Sequence, residues 1–295
     1  MHPCLYYFKR LMICFSLFAL TAFPGLAETA NPETANPDTV ADPQNTDLTT
    51  KVVASGNVRV EFSYRFDPGE GHFKDVHLRI LRDKQAVLEQ SFPLETEYDR
   101  PLVADPYGVK QALQIRDLDG DGELEVLVDA YTGGAHCCTY SLIYRYESAA
   151  NRYSHLKHFW GNVGYRFKDL NNDGIPEFDS ADDRFAYQFA SYAGSAFPLQ
   201  IWQYRQGQMI DITRNYPQLV YRDAYRLWQQ YLERRKLEYG EEKAPLAAYL
   251  AAKYLLGQEQ DGWQRVRRTY LKRDRKKYFI ELKRFLRITG YIQPN

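Results

Sequence analysis

Two acidic loops of one design carry the chemistry that is legible in this 295-residue chain. Asp117-Leu118-Asp119-Gly120-Asp121-Gly122-Glu123-Leu124-Glu125 returns 52 residues later as Asp169-Leu170-Asn171-Asn172-Asp173-Gly174-Ile175-Pro176-Glu177. Each places oxygen side chains at its first, third and fifth positions, a glycine at the sixth and a carboxylate at the ninth. A hard cation such as Ca²⁺ gathers about 6–8 oxygens at about 2.3–2.6 Å, and alternate positions on a tight loop converge on one point. The glycine turns the chain through positive φ without a Cβ clash. The expected ligands are the side chains of Asp117, Asp119, Asp121 and Glu125 with the carbonyl of Glu123. In the second loop they are Asp169, Asn171, Asp173 and Glu177 with the carbonyl of Ile175. Four carboxylates against three predict that the first loop binds more tightly.

The flanks decide what kind of loop this is. An EF-hand needs a bidentate Glu at its twelfth position and a helix on each side; here that position is Val128 or Ser180. Ala112-Leu113-Gln114-Ile115 enters the first loop and Leu124-Glu125-Val126-Leu127-Val128 leaves it, both reading as strands. Pro176 opposes a helix running through the second loop. The sites are strand–loop–strand.

On these residues, Asp117 to Val126 and Asp169 to Phe178, the chain resembles the FG-GAP/VCBS family of calcium-binding β-propeller repeats. The resemblance spans roughly residues 111–213. It implies β-sheet blades with a calcium loop between strands, and Ca²⁺ as the cofactor. It implies a scaffold and an ion rather than a reaction. Two units fall short of the 4–8 blades, roughly, of a closed propeller, so a partial one is expected. The repeat extends beyond the loops. Ser141-Leu142-Ile143-Tyr144-Arg145-Tyr146 matches Leu199-Gln200-Ile201-Trp202-Gln203-Tyr204 at an offset of 58, so about six extra residues separate loop from strand in the second unit.

The remaining chain divides by composition. Lys9-Arg10 and the apolar run Leu11 to Leu20, followed by Pro24-Gly25-Leu26-Ala27, read as a Sec-type signal peptide over 1–27, cleaved after Ala27. This predicts export to a periplasmic or extracellular space. Residues 28–50, with Thr-Ala-Asn-Pro twice and no aromatic residue, read as a disordered tether. A β-rich module is expected over 51–216, its first part from Asn57-Val58 to Ala86-Val87-Leu88 without an acidic loop. A helical domain follows over 217–295. Pro217 opens the first helix, whose apolar stripe is Ala224, Leu227, Trp228, Tyr231 and Leu232. Pro245 opens a second, Gly257 to Gly262 interrupts, and two more cover Trp263–Leu271 and Tyr278–Leu286. The fold class is α+β: an antiparallel β-rich module with two propeller-blade-like units, then helices.

Net charge is zero, yet residues 221–295 hold 18 Lys and Arg against 9 Asp and Glu. Such a basic segment suits a solvated face, docking on the acidic β part, or contact with an anionic surface. Export disfavours nucleic acid. A protein or polysaccharide ligand is the partner expected of the β module.

Cys137 and Cys138, after Gly133-Gly134-Ala135-His136, are the only cysteines beyond the signal segment. Three readings stay open: a vicinal disulfide clipping the loop, buried thiols packing as small hydrophobes, or a redox or soft-metal site that includes His136. Adjacent cysteines lack the usual spacing of a zinc site. His155 and His158 read as a surface pair, and Asp129 and Asp182-Asp183 as structural carboxylates. The chain has no G-x-S-x-G elbow, H-E-x-x-H or P-loop, and the reading leans against an enzyme. The function expected is a non-catalytic, exported calcium-binding or envelope-interaction module; the alternative is an enzyme or redox factor centred on His136-Cys137-Cys138.

Overall fold

Strict alternation builds the first sheet. In β2 (Val58–Asp67), Val58, Val60, Phe62 and Tyr64 are buried while Arg59 between them is exposed, the period of a half-buried strand. The computed structural model describes residues 47–104, 112–135, 137–237 and 241–293. The predicted signal peptide and nearly all of the tether lie outside the described residues, and Thr49 already opens the first strand. β1 (Thr49–Ser55), β2, β3 (His72–Arg82) and β4 (Gln85–Ser91) pair in chain order, all antiparallel. Asp83 and Lys84 join β3 to β4 with φ of 49° and 70°, the mirror-image turn whose twist matches a hairpin.

The second sheet runs β5 (Arg100–Pro101), β7 (Glu125–Tyr131), β8 (Thr139–Glu147), β9 (Arg152–Gly161), and β6 (Leu113–Arg116) also pairs with β7. The third runs β10 (Arg166–Lys168), β11 (Glu177–Ala181), β12 (Leu199–Arg205), β13 (Gln208–Asp211) in chain order. Four helices follow: α1 (Pro217–Arg234), α2 (Lys243–Leu255), α3 (Glu259–Thr269) and α4 (Arg275–Ile288). The protein is therefore α+β, with antiparallel sheets preceding the helices. No helix among the described residues is long and apolar enough to cross a membrane.

The three sheets stack in series. Val60, Phe62, Leu78 and Ile80 of the first pack against Val126, Val128, Tyr140 and Tyr144 of the second. The other face of the second sheet, with Leu127, Ile143 and Trp160, packs on Phe178 and Tyr204 of the third. β7 is thus covered on both faces, and six of its seven residues are buried. A strand covered on both faces reads as a continuous apolar run rather than an alternation.

The helical core does not belong to the helices alone. Phe185, Ala196 and, at its edge, Phe189 and Phe197 come from the connection between β11 and β12. The extra residues of the second unit fall in that connection and supply aromatic side chains to the helices. The change at residue 217 is one of secondary structure, while the core runs across it. The expected interruption at Gly257 to Gly262 is shorter than read. Gly262 lies inside α3, where a Cβ would stand 2.8 Å from Lys253 Cβ and 2.9 Å from Leu250 Cδ1 of α2. Glycine there serves a close helix crossing, not a break.

Candidate metal centre

Each acidic loop joins the first two strands of a hairpin, β6 to β7 and β10 to β11. Their backbones repeat as closely as their sequences. Gly122 and Gly174 both have φ of 86°, and two residues earlier Gly120 and Asn172 have 76° and 61°. That second left-handed position escaped the sequence reading; glycine and asparagine are the residues that tolerate it.

In the first loop the carboxylates of Asp117, Asp119 and Glu125 converge, with an oxygen from each within 4.8 Å of the others. Asp117 is fixed by the backbone N–H groups of Gly120 (2.7 Å) and Gly122 (3.0 Å). Glu125 is 1% exposed, and one of its oxygens accepts the N–H of Leu118 at 2.9 Å. Its other oxygen, Oε1, and Oδ1 of Asp119 are buried with no hydrogen-bond partner among the described residues. Burial, followed by the charges of Asp119, Asp121 and Asp117, pushes the Glu125 carboxyl up to about 8, against the pull of the Leu118 N–H. Buried, unpaired carboxylate oxygens cost free energy. A bound divalent cation reverses that local balance, so the donor set fits Ca²⁺. Asp121, also expected as a ligand, lies outside that group of three. Its Oδ2 pairs with Arg145 at 2.9 Å and its Oδ1 accepts the Glu123 N–H at 2.8 Å.

The second loop is more completely satisfied internally. Asp169 accepts the N–H groups of Asp173 (3.1 Å) and Gly174 (3.0 Å), and Asn171 donates to Asp173 at 2.7 Å. Glu177 accepts the Leu170 N–H at 2.8 Å and, on its other oxygen, the hydroxyl of Tyr216 at 2.7 Å. Tyr216 immediately precedes α1, so this carboxylate ties the third sheet to the helices. Nothing local in the sequence announces that contact.

The first loop reaches three sheets. Glu123 forms an ion pair with Arg82 of β3 at 2.9 Å. Asp119 Oδ2 accepts the N–H of Gln206, in the β12–β13 turn, at 2.7 Å. Between the loops opens a cleft of about 580 Å³ lined in part by Asp119, Asp121, Asp173, Gln203, Arg205 and Gln208.

The remaining candidates separate. Cys137 and Cys138 are linked as a vicinal disulfide, and their sulfurs lie within 4.8 Å of an Asp183 carboxylate oxygen. Thr132 accepts the Cys138 N–H on its hydroxyl at 2.6 Å and donates its own N–H to the Cys138 carbonyl at 3.0 Å. Gly133, at φ 76°, leaves no room for a Cβ beside the Tyr98 carbonyl. A carboxylate beside the sulfurs disfavours thiolate, which argues for a loop clip over a reactive pair. His136 lies outside the described residues. His155 and His158 share no site: His155 packs on Tyr144, whereas His158 sits between Trp160 and Trp202 at 4.2 and 4.6 Å between ring centres. Asp129 lies in a buried network with Ser141 and Tyr165, and Asp182 binds Arg184 and the Tyr291 hydroxyl. None of these carboxylates joins the first loop's cluster.

Residues 220–290 match the family described as sll0997 C-terminal domain. The chain is 34% identical over 224 residues to the probable thylakoid lumen protein sll0997 of Synechocystis sp., covering 74% of this chain and 62% of that protein. It is 31% identical over 153 residues to the uncharacterized protein y4bJ of Sinorhizobium fredii, covering 50% of this chain and 23% of that one. The chain thus spans under two thirds of either relative. A solved Xanthomonas Type IV secretion system related protein aligns over 58% of this chain and 96% of its own, at 15% identity and a TM-score of 0.26. That score supports no argument.

Proposed function

We propose that the protein is an exported, non-catalytic binding module whose sheets are fixed by Ca²⁺ in the acidic loops, and that the second and third sheets are FG-GAP/VCBS-like blades. The observation that carries the reading is the pair of buried, unpartnered oxygens, Asp119 Oδ1 and Glu125 Oε1, beside Asp117. Asp117, Asp119 and Glu125 would hold the ion in the first loop, and Asp169, Asn171 and Asp173 in the second. The ion supplies cross-linking charge rather than chemistry. The cleft between the loops is the place for a protein or polysaccharide ligand. A relative named as a thylakoid lumen protein is compatible with export, and the finer assignment is periplasmic or extracellular.

Calorimetric titration of residues 28–295 with Ca²⁺, alongside melting curves in Ca²⁺ and in chelator, tests this. Extracellular modules bind with Kd of about 10⁻⁴–10⁻³ M. At free Ca²⁺ of about ten times Kd, each site adds about 1.4 kcal/mol. The expected result is saturable binding with a rise in Tm of several degrees. Absence of both heat and shift would reduce the loops to acidic turns.

A further inference from the structure

The outer face of α4 is unlike the rest of the surface. At about 100° per residue, Lys276, Ile280, Lys283, Arg284, Arg287 and Ile288 fall on one arc, with Ile280 near its middle. Tyr278, Leu282, Phe285 and Leu286 occupy the opposite arc and are buried in the helical core. Ile280 is 70% exposed and Ile288 72%, and Leu271, just before the helix, is 68% exposed. Lys276, Arg284 and Arg287 form no ion pair among the described residues, nor do Arg273 and Arg275 at the start of the helix. The one acid on this side, Glu281, lies at the edge of the arc beside Lys277.

Lys283 stands over the Trp263 ring at 5.4 Å, but exposed isoleucine flanked by Lys276, Arg284 and Arg287 without ion pairs among the described residues is poor design for a solvated face. An acidic polysaccharide would neutralise the cations and leave the isoleucines in water. The interface of an anionic bilayer satisfies both: headgroup charge takes the Lys and Arg tips, whose alkyl stems lie along the surface, while the apolar side chains enter the acyl boundary. We infer that the outer face of α4 is a peripheral docking surface for anionic lipid, with Ile280 and Ile288 as its apolar anchors and Lys276, Lys283, Arg284 and Arg287 as its headgroup contacts. The surface lies apart from the acidic loops and holds whether or not they bind Ca²⁺.

The test is co-sedimentation of residues 28–295, in chelator and about 0.1 M salt, with vesicles of phosphatidylcholine or of equal parts phosphatidylglycerol and phosphatidylcholine. Binding is expected only to the phosphatidylglycerol vesicles. Each basic side chain at such a surface strengthens binding about fivefold, so Arg284→Glu with Arg287→Glu should weaken it by about 25-fold or more. Ile280→Ser should weaken it severalfold with the charge unchanged. Lys51→Glu with Lys84→Glu makes the same change in net charge on the first sheet and should leave binding within about twofold. All these positions are exposed, and melting curves verify that each variant is folded. Three results would overturn the inference: no binding by the unaltered chain, equal binding to phosphatidylcholine alone, or equal losses in the Arg284/Arg287 and Lys51/Lys84 variants. Tight binding to heparin with none to either vesicle would also overturn it, in favour of an acidic polysaccharide.

Discussion

Replacing Asp129 by Asn should make this protein more stable near neutral pH, by an amount that grows with pH. The carboxylate is buried between the second and third sheets, accepting the hydroxyls of Ser141 and Tyr165, and Ser141 in turn accepts the indole N–H of Trp160. Burial pushes the Asp129 carboxyl up to about 7 from an ordinary 3.8, while its two hydroxyl donors pull the other way. The sign follows from proton linkage. Between about pH 4 and 7 the unfolded chain has ionised this group and the folded one retains the proton, so stability falls as pH rises. A gap of about three pH units at 1.36 kcal/mol each is a loss of about 4 kcal/mol, complete above pH 7. Asn keeps the shape without the charge, and near pH 4 the two proteins should agree to within about 1 kcal/mol. His158 works in the opposite sense. Burial lowers it to about 4 from 6.5, so it adds stability as pH rises over much of the same window, while Glu125, held up at about 8, removes stability as pH rises. The difference between Asp129→Asn and the unaltered chain removes that background. Urea unfolding in chelator from pH 4.5 to 8 measures it. A difference that stays constant across the range would refute the reasoning, since the group would then titrate alike in both states.

The acidic loops should differ in the Ca²⁺-dependent melting shift, with Asp119→Ala removing more of it than Asp173→Ala; the reverse order would place the tighter site in the second loop. Gly120→Ala combines a φ of 76° with a Cβ only 2.6 Å from Ile175 Cδ1. It should cost about 1–3 kcal/mol, part of which Ile175→Ala recovers; an unchanged Tm would count against the observed loop packing. Alkylation should find no free thiol at Cys137 or Cys138 in native or denatured protein, and two after reduction. Two readily modified thiols in the native state would favour the redox or soft-metal alternative.

The acidic loops were legible because the same residue types recur at the same positions, oxygen side chains at the first, third and fifth, glycine at the sixth and a carboxylate at the ninth, in two copies 52 residues apart. The α+β order was legible because Val58 to Tyr64 alternate with period two, whereas Ala224 to Leu232 recur with period near 3.6. Sequence could not show that the carboxylates of Asp117, Asp119 and Glu125 cluster while Asp121 pairs with Arg145. Arg145 lies 24 residues along the chain from Asp121, and no local pattern encodes that pairing. Tyr216 on Glu177 and Gln206 on Asp119 are hidden for the same reason, at separations of 39 and 87 residues. The six extra residues of the second unit were visible as length. Their use, Phe185 and its neighbours filling the helical core, depends on an interface that only the folded chain has.

The first acidic loop touches three consecutive layers, through Arg82, Arg145 and Gln206. Thermodynamic reciprocity turns that placement into a property of the whole stack. Whatever free energy an ion at this loop contributes to holding the layers in register, correct register contributes equally to holding the ion. Loosening any of the three layers, by mutation, heat or a ligand wedged in the cleft, would therefore appear as weaker ion binding. The ion affinity of one small loop would thus report on the integrity of packing well beyond it.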